Sequence, residues 1–290
     1  METTDLLAKV RRVEIKTRAL TNNIFAGEYH SAFKGRGMSF AEVREYQPGD
    51  DVRDIDWNVT ARFNHPYVKV YEEERELTVM LLIDVSGSLD FGTKARYQRD
   101  LVTEMAATLA FSAIQNNDKI GVIFFSDKIE KFIPPKKGRK HILYIIRELL
   151  DFKPESRRSN VKVALQYLVR ALHKHCISFV LSDFVAQDDF TIDLRIAARK
   201  HEVVAIRVYD RRMEALPDVG LMKVEDPETG HEQYIDTSSR ATQKLHRDWW
   251  TSLNVRLDRT FRSSNVESIS VRTDGDYVKA LIGLFSKRIS

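Results

Sequence analysis

Short apolar runs, broken by at most one polar residue and each followed within two positions by a small polar or acidic residue, recur through the middle of the chain. They are Val79 to Ile83 before Asp84, Gly121 to Phe125 before Ser126, Ile177 to Leu181 before Ser182 and Asp183, and Val203 to Val208. Runs of this length without polar alternation read as strands buried on both faces, as in a parallel sheet. The segments between them carry apolar residues at helical spacing. Ala95 to Gln115 sets Leu101, Met105, Leu109, Phe111 and Ile114 on a long, largely buried helix, and further helices are expected over about Arg139 to Leu150, Asn160 to His173 and Asp189 to Lys200. Ile129 to Ile133 reads as a short edge strand. Repeated alternation of strand and helix predicts an α/β fold with a doubly wound, mainly parallel sheet and right-handed crossovers. Downstream, Leu221 to Val224 and Glu232 to Ile235 flank the turn signal Pro227-Glu-Thr-Gly230 and read as a hairpin on the sheet edge. Arg240 to Phe261 reads as a helix bearing Trp249 and Trp250, Ser268 to Val271 as a last short strand, and Tyr277 to Phe285 as a closing helix.

The first part of the chain has a different texture. Asp5 to about Asn22 places Leu6, Leu7, Val10, Val13, Ile15 and Leu20 among Lys and Arg at broadly helical spacing, which predicts an amphipathic helix. From Gly27 to Asn64 no clean period survives; Gly, Pro and Asp are frequent, while Tyr29, Phe33, Phe40, Tyr46 and Trp57 supply apolar anchors. This predicts an ordered, loop-rich module whose aromatics need a surface to bury against, so it is expected to pack on the main domain. Tyr67 to Tyr71 alternates as a strand leading into the central one. The expected division is an N-terminal module over 1–70 and an α/β domain over 71–290.

Composition narrows the function classes. With 290 residues, 43% hydrophobic and 30% charged, the chain can bury a sizeable core, and wholesale disorder is excluded. The net charge of +4 is spread along the sequence. Its densest basic stretch, Lys136, Lys137, Arg139, Lys140 and His141 with Arg157 and Arg158, reads as a solvated face, so no nucleic-acid partner is expected. The charged first residues do not resemble a signal peptide, and no apolar run approaches the roughly 18 residues that span a bilayer, so a cytoplasmic protein without a membrane span is expected. The single cysteine, Cys176, cannot form an internal disulfide and reads as a buried thiol in a reducing compartment.

The chemistry concentrates after the first apolar run. Asp84, Ser86 and Ser88 alternate in a turn loosened by Gly87, at the carboxyl edge where open α/β sheets hold their ligands. One carboxylate and two hydroxyls pointing into one space suit a hard divalent ion, Mg²⁺ first, with Mn²⁺ or Ca²⁺ as alternatives. A second acidic group, Asp50, Asp51, Asp54 and Asp56, opens an alternative reading as a metal-dependent phosphoesterase or nuclease. Its turn context and the interleaved Arg44, Arg53 and Arg62 favour fixed ion pairs instead. His173, His175 and Cys176 resemble a zinc cluster only superficially. Enzyme signatures are missing: Ser86 lacks the glycine that precedes the serine in a G-x-S-x-G elbow, D-x-D is broken by Ser86, and there is no phosphate-cradling G-x-x-x-x-G-K-[ST].

Several of these segments together resemble known families. Asp84-Val-Ser-Gly-Ser88, between an apolar strand and a long helix, is similar to the first element of the metal-ion-dependent adhesion site (MIDAS) of von Willebrand factor A domains. Gly35-Arg-Gly-Met38, the run from Phe40 through Glu45-Tyr-Gln-Pro-Gly-Asp-Asp51 to Ile55-Asp-Trp57, and Thr60-Ala-Arg62 resemble the signature of the bacterial DUF58 family, von Willebrand A-like proteins associated with MoxR-type AAA+ ATPases. The resemblance implies a von Willebrand A / Rossmann-like fold and a metal shell completed by Ser159 and Asp183. It implies a partner carboxylate as the outermost ligand, and a non-enzymatic role as adaptor or co-chaperone between a MoxR-like AAA+ ATPase and client proteins. The family more often shows Thr-Asp where this chain has Ser159-Asn160, a departure that removes a methyl group and a nearby carboxylate and should lower metal affinity. Neither the residues nor the resemblance fixes an oligomeric state.

Overall fold

The computed structural model describes residues 38–73, 76–93, 96–185 and 188–289. The helix expected over Asp5 to Asn22 lies outside the described residues, as do Gly35 to Gly37 of the signature. In chain order the elements are β1 (Met38–Glu45), a 3₁₀ turn (Val52–Asp54), α1 (Trp57–Phe63), β2 (Tyr67–Glu73), β3 (Thr78–Asp84), a second 3₁₀ turn (Gly87–Asp90), the short pair β4 (Gly92–Thr93) and β5 (Arg96–Tyr97), α2 (Gln98–Gln115), β6 (Lys119–Phe125) and β7 (Ile129–Lys136). There follow α3 (Arg139–Asp151), α4 (Val161–Ala171), β8 (Ile177–Ser182), α5 (Thr191–Lys200), β9 (Glu202–Tyr209), the single turn α6 (Arg211–Glu214), β10 (Leu221–Glu225), β11 (Glu232–Asp236), α7 (Arg240–Ser263), β12 (Glu267–Arg272) and α8 (Tyr277–Ile289).

Six strands form the central sheet in the order β12-β9-β8-β3-β6-β7. All neighbours run parallel except β7, which returns antiparallel along β6. Its Pro134 and Pro135 fit an edge strand, because proline cannot donate to a ladder. β3 is buried on both faces, and its side chains divide by parity. Val79, Leu81 and Ile83 pack with residues of α2, α3 and α8, while Met80 and Leu82 pack with residues of α4, α5 and α7. Helices therefore cover both faces, as the apolar runs require. β3 is also the switch point: the chain leaves it for β6 on one side and later returns to β8 on the other, opening a crevice at the carboxyl ends of β3 and β8.

Two expectations need correction. The β10–β11 hairpin does not extend the main sheet; it is a separate antiparallel ribbon, since the edges of the six-stranded sheet are held by β12 and β7. The N-terminal module is more regular than its sequence suggests. β1 pairs antiparallel with β2, with a bulge between Phe40 and Glu42, and Asp56 caps α1 by accepting from the backbone of Asn58 and Val59. Of its aromatic anchors, Trp57 is 70% exposed, because α1 lies along β2 and presents its own outer face to solvent, while Tyr46 is half-buried; Tyr29 and Phe33 lie outside the described residues.

Cys176 is buried, as its setting implied, with its sulfur 3.3 Å from His201 Nδ1 and 3.4 Å from Ser178 Oγ. Burial pushes the thiol up to about 11. The His201 imidazole is held down to about 4, first by burial and then by the charges of Lys200 and His175, and its Nε2 is buried without a hydrogen-bond partner. A histidine whose folded pKa lies below its unfolded value stabilises the fold above about pH 6.5, and that contribution is lost as the pH falls toward 4, where the unfolded chain takes the proton more readily. Discounted for solvent screening, the expected loss is about 1–2 kcal/mol. Urea unfolding of wild type and His201→Gln at pH 7 and pH 4.5 checks it: the wild-type advantage should shrink at the lower pH.

Candidate functional site

The site is assembled by backbone bonds between loops distant in sequence. Val85 N–H donates to Phe125 O at 2.9 Å and carries the β3–β6 pairing one residue past β3; Gly87 N–H donates to Arg157 O at 2.9 Å; and Asn160 N–H donates to Ser126 O at 3.0 Å. The loop before α4 is thereby tied to the ends of both β3 and β6, and Asn160 caps α4 by accepting from Lys162 N–H at 3.0 Å. Ser159 faces Asp84 as a result.

Asp84 is fully buried and held by three donors. Its Oδ2 accepts from Ser159 Oγ and from Ser182 Oγ, each at 2.7 Å, and its Oδ1 accepts from Ser86 N–H at 2.9 Å. Ser86 Oγ and Ser88 Oγ lie 3.0 Å apart. Burial raises the Asp84 pKa, and the serine donors oppose that shift. Asp183, at the end of β8, is buried beside it. Its Oδ1 accepts from Val185 N–H at 3.0 Å, while its Oδ2 has no hydrogen-bond partner. Burial first, and then the Asp84 charge, push the Asp183 carboxyl up to about 6. The turn that presents it is strained: Phe184 has φ of 55°, in the left-handed region that a bulky residue rarely enters, and is held there by burial against Phe190 and Phe261.

All five residues expected at a metal shell, Asp84, Ser86, Ser88, Ser159 and Asp183, thus come to one place. Among the described residues no three His, Cys, Asp or Glu side chains gather in ligand geometry, so the donor set depends on hydroxyls as well as on two carboxylates. It fits a hard divalent cation on its own chemistry, because two facing buried carboxylates and an orphaned carboxylate oxygen are costly without a positive charge between them. Ser86, Ser88 and Asp183 Oδ2 would hold the ion directly, with Asp84 and Ser159 supplying and orienting the charge behind them. The ion would act as an electrophile toward an oxygen ligand arriving from outside.

The second acidic group is otherwise engaged. Arg44 grips Asp50 with two bonds at 2.7 and 2.8 Å, Arg53 pairs with Asp51 at 2.8 Å, and Asp56 caps α1 and faces Lys69 at 3.6 Å. Three of the four carboxylates thus serve as ion-pair partners and a helix cap, which supports the structural reading of this group.

Comparison with known proteins bears on the family and the fold. The model of the family described as "Protein of unknown function DUF58" matches residues 42–251. The chain belongs to this family. Relatives of this DUF58 chain include uncharacterized protein Mb1516 of Mycobacterium bovis and uncharacterized protein Rv1480 of Mycobacterium tuberculosis, each 32% identical over 98% of this chain and 90% of the relative. Among solved structures, an aerotolerance-related membrane protein from Bacteroides fragilis superposes with a TM-score of 0.51 at 13% identity, covering 73% of this chain and 98% of that one. That likeness concerns the fold. The SpRpn10 VWA domain is more distant, with a TM-score of 0.40 and 12% identity. No helix among the described residues of this DUF58 chain is long and apolar enough to cross a membrane.

Three residues at the site escaped the sequence reading. Ser182 donates to Asp84 from 98 positions away. Arg207 sits buried in β9, donates from Nε to Asp183 O at 3.2 Å, and stacks over the Trp250 ring with its guanidinium carbon 4.5 Å from the centroid. An arginine inside the apolar run Val203 to Val208 was a signal for it, since arginine is almost never fully buried unless paired. Glu228, in the β10–β11 turn, is half-buried. Burial, then the charges of Asp183 and Asp84, push it up to about 7, while the Ser159 backbone N–H favours its charged form.

Proposed function

We propose that this DUF58 chain is a non-enzymatic protein-interaction module that binds a partner through a divalent cation, Mg²⁺ by preference, held by Asp84, Ser86, Ser88, Ser159 and Asp183. The observation that carries this reading is the orphaned, buried Asp183 Oδ2 beside the donor-held Asp84, with the Ser86 and Ser88 hydroxyls alongside. A cation there keeps an outward position for a partner's carboxylate, since hard oxygen ligands suit it and neutral hydroxyls leave it electrophilic. No catalytic step is assigned: the Asp84 carboxylate is engaged by three donors, Ser159 Oγ, Ser182 Oγ and Ser86 N–H, which hold it as a fixed charge. An adaptor or co-chaperone role toward a MoxR-like AAA+ ATPase and its clients follows from the family resemblance. The test is capture of a purified MoxR-like ATPase on immobilised chain. Retention in Mg²⁺ that is lost with EDTA and with Asp84→Asn is the expected result, whereas retention indifferent to both would contradict the metal-bridged model.

A further inference from the structure

The β10–β11 hairpin, displaced from the sheet edge, rests on the site. A methyl group added at Gly87 would come within 2.3 Å of Pro227 O, so the hairpin tip lies directly against the backbone of the loop that carries Ser86 and Ser88. The tip itself is rigidly built. Asp226 Oδ1 accepts from Glu228 N–H at 2.9 Å and from Thr229 N–H at 3.3 Å, and Gly230 N–H donates to Asp226 O at 2.8 Å. Beside the turn, Glu225 pairs with Arg157 at 3.5 Å, in the same loop that leads to Ser159. This turn directs one carboxyl side chain, Glu228, toward the Asp84 and Asp183 carboxylates and the Ser159 backbone N–H.

We propose that the β10–β11 hairpin is a lid on this site and that Glu228 is the chain's own ligand for the bound ion, taking, directly or across one water, the outward position that a partner's carboxylate would otherwise fill. This rests on the metal-site reading above and adds regulation to it. A cation converts the repulsion among the Asp84, Asp183 and Glu228 carboxyl groups into attraction and holds the tip on the site. A partner then engages the ion only by displacing Glu228, so the lid sets a threshold that weak or misdirected carboxylates do not pass.

The experiment uses the full chain, with Mn²⁺ as probe, in wild type, Glu228→Gln and Asp84→Asn. Calorimetric titration gives the Mn²⁺ affinity, and hydrogen exchange reads the amides of residues 226–230 with and without Mn²⁺. The expected result is that Glu228→Gln binds Mn²⁺ at least about tenfold more weakly than wild type, the lower end of what losing even an outer-shell metal partner costs. Mn²⁺ should also slow exchange in the wild-type hairpin and not in the variant. Equal Mn²⁺ affinity in wild type and Glu228→Gln overturns the proposal, as does a wild-type hairpin whose exchange ignores the metal. If wild type takes up no Mn²⁺ in an Asp84-dependent manner, the metal site itself falls and the lid falls with it. Asp84-dependent binding that survives Glu228→Gln unchanged removes the lid alone.

Discussion

In Asp84→Asn, Mg²⁺ no longer raises the melting temperature, whereas in wild type it does so with increasing concentration. A ligand that binds only the folded state stabilises by RT ln(1 + [L]/Kd), about 2.7 kcal/mol at a hundredfold excess over Kd. In the wild-type chain that Kd already includes what the ion relieves: two buried carboxylates facing one another, one with an oxygen that has no partner. Asparagine keeps the shape of Asp84, and its amide oxygen in the place of Oδ2 still accepts from both Ser159 and Ser182, but it removes the charge on which attraction for a strongly hydrated ion depends. The metal-free variant should unfold at or slightly above the metal-free wild type, because a buried charge has been removed. Alanine is the poorer substitution. It would leave the Ser159 and Ser182 hydroxyls and the Ser86 N–H without their acceptor, at about 1–3 kcal/mol for each buried group so orphaned. Differential scanning calorimetry across a Mg²⁺ series, with both proteins, decides the matter.

Leu82→Ala has the opposite profile. Leu82 lies two residues before Asp84 on the same strand, fully buried in the core between the sheet and the α4, α5 and α7 layer. Its truncation removes buried methyl groups and leaves a cavity among Met80, Val180 and the helix residues packed there, at a cost of roughly 2–5 kcal/mol. Chemical denaturation should show a lower midpoint with an unchanged m-value. The fraction that remains folded should still bind Mg²⁺ with wild-type affinity, because the Asp84 hydrogen-bonding groups come from the strand end and the loops rather than from the strand's interior. The pair of substitutions thus separates site from scaffold on a single strand.

How much of this could be read in the sequence depends on the range over which each feature is determined. The central strands were legible because Val79 to Ile83 is apolar throughout and Ile177 to Leu181 is broken only by Ser178, and only a sheet covered on both faces absorbs such runs. β1 and α1 were not. α1 is short and buries no residue, so it has no apolar stripe to betray it, and β1 is broken by a bulge. The hairpin was legible as a hairpin through Pro227 to Gly230, but period-two alternation does not say which surface a ribbon will meet; the contact of Pro227 with Gly87 does. At the site, Asp84, Ser86 and Ser88 form a local pattern that can be read from the residues. Ser159 and Asp183 needed the family resemblance, since their position follows from loops meeting across the sheet. Ser182, Arg207 and Glu228 act through contacts far apart in sequence, and of these only the buried arginine in an apolar run broke a local rule.

Anomalous diffraction from crystals of the full chain grown with Mn²⁺ tests the metal site most directly. The account predicts one strong peak bounded by Ser86 Oγ, Ser88 Oγ and Asp183 Oδ2, at the roughly 2.0–2.6 Å spacing of hard-cation oxygen ligands, and its disappearance in Asp84→Asn. A peak among Asp50, Asp51, Asp54 and Asp56, or an empty crevice at the ends of β3 and β8 under saturating Mn²⁺, would contradict it.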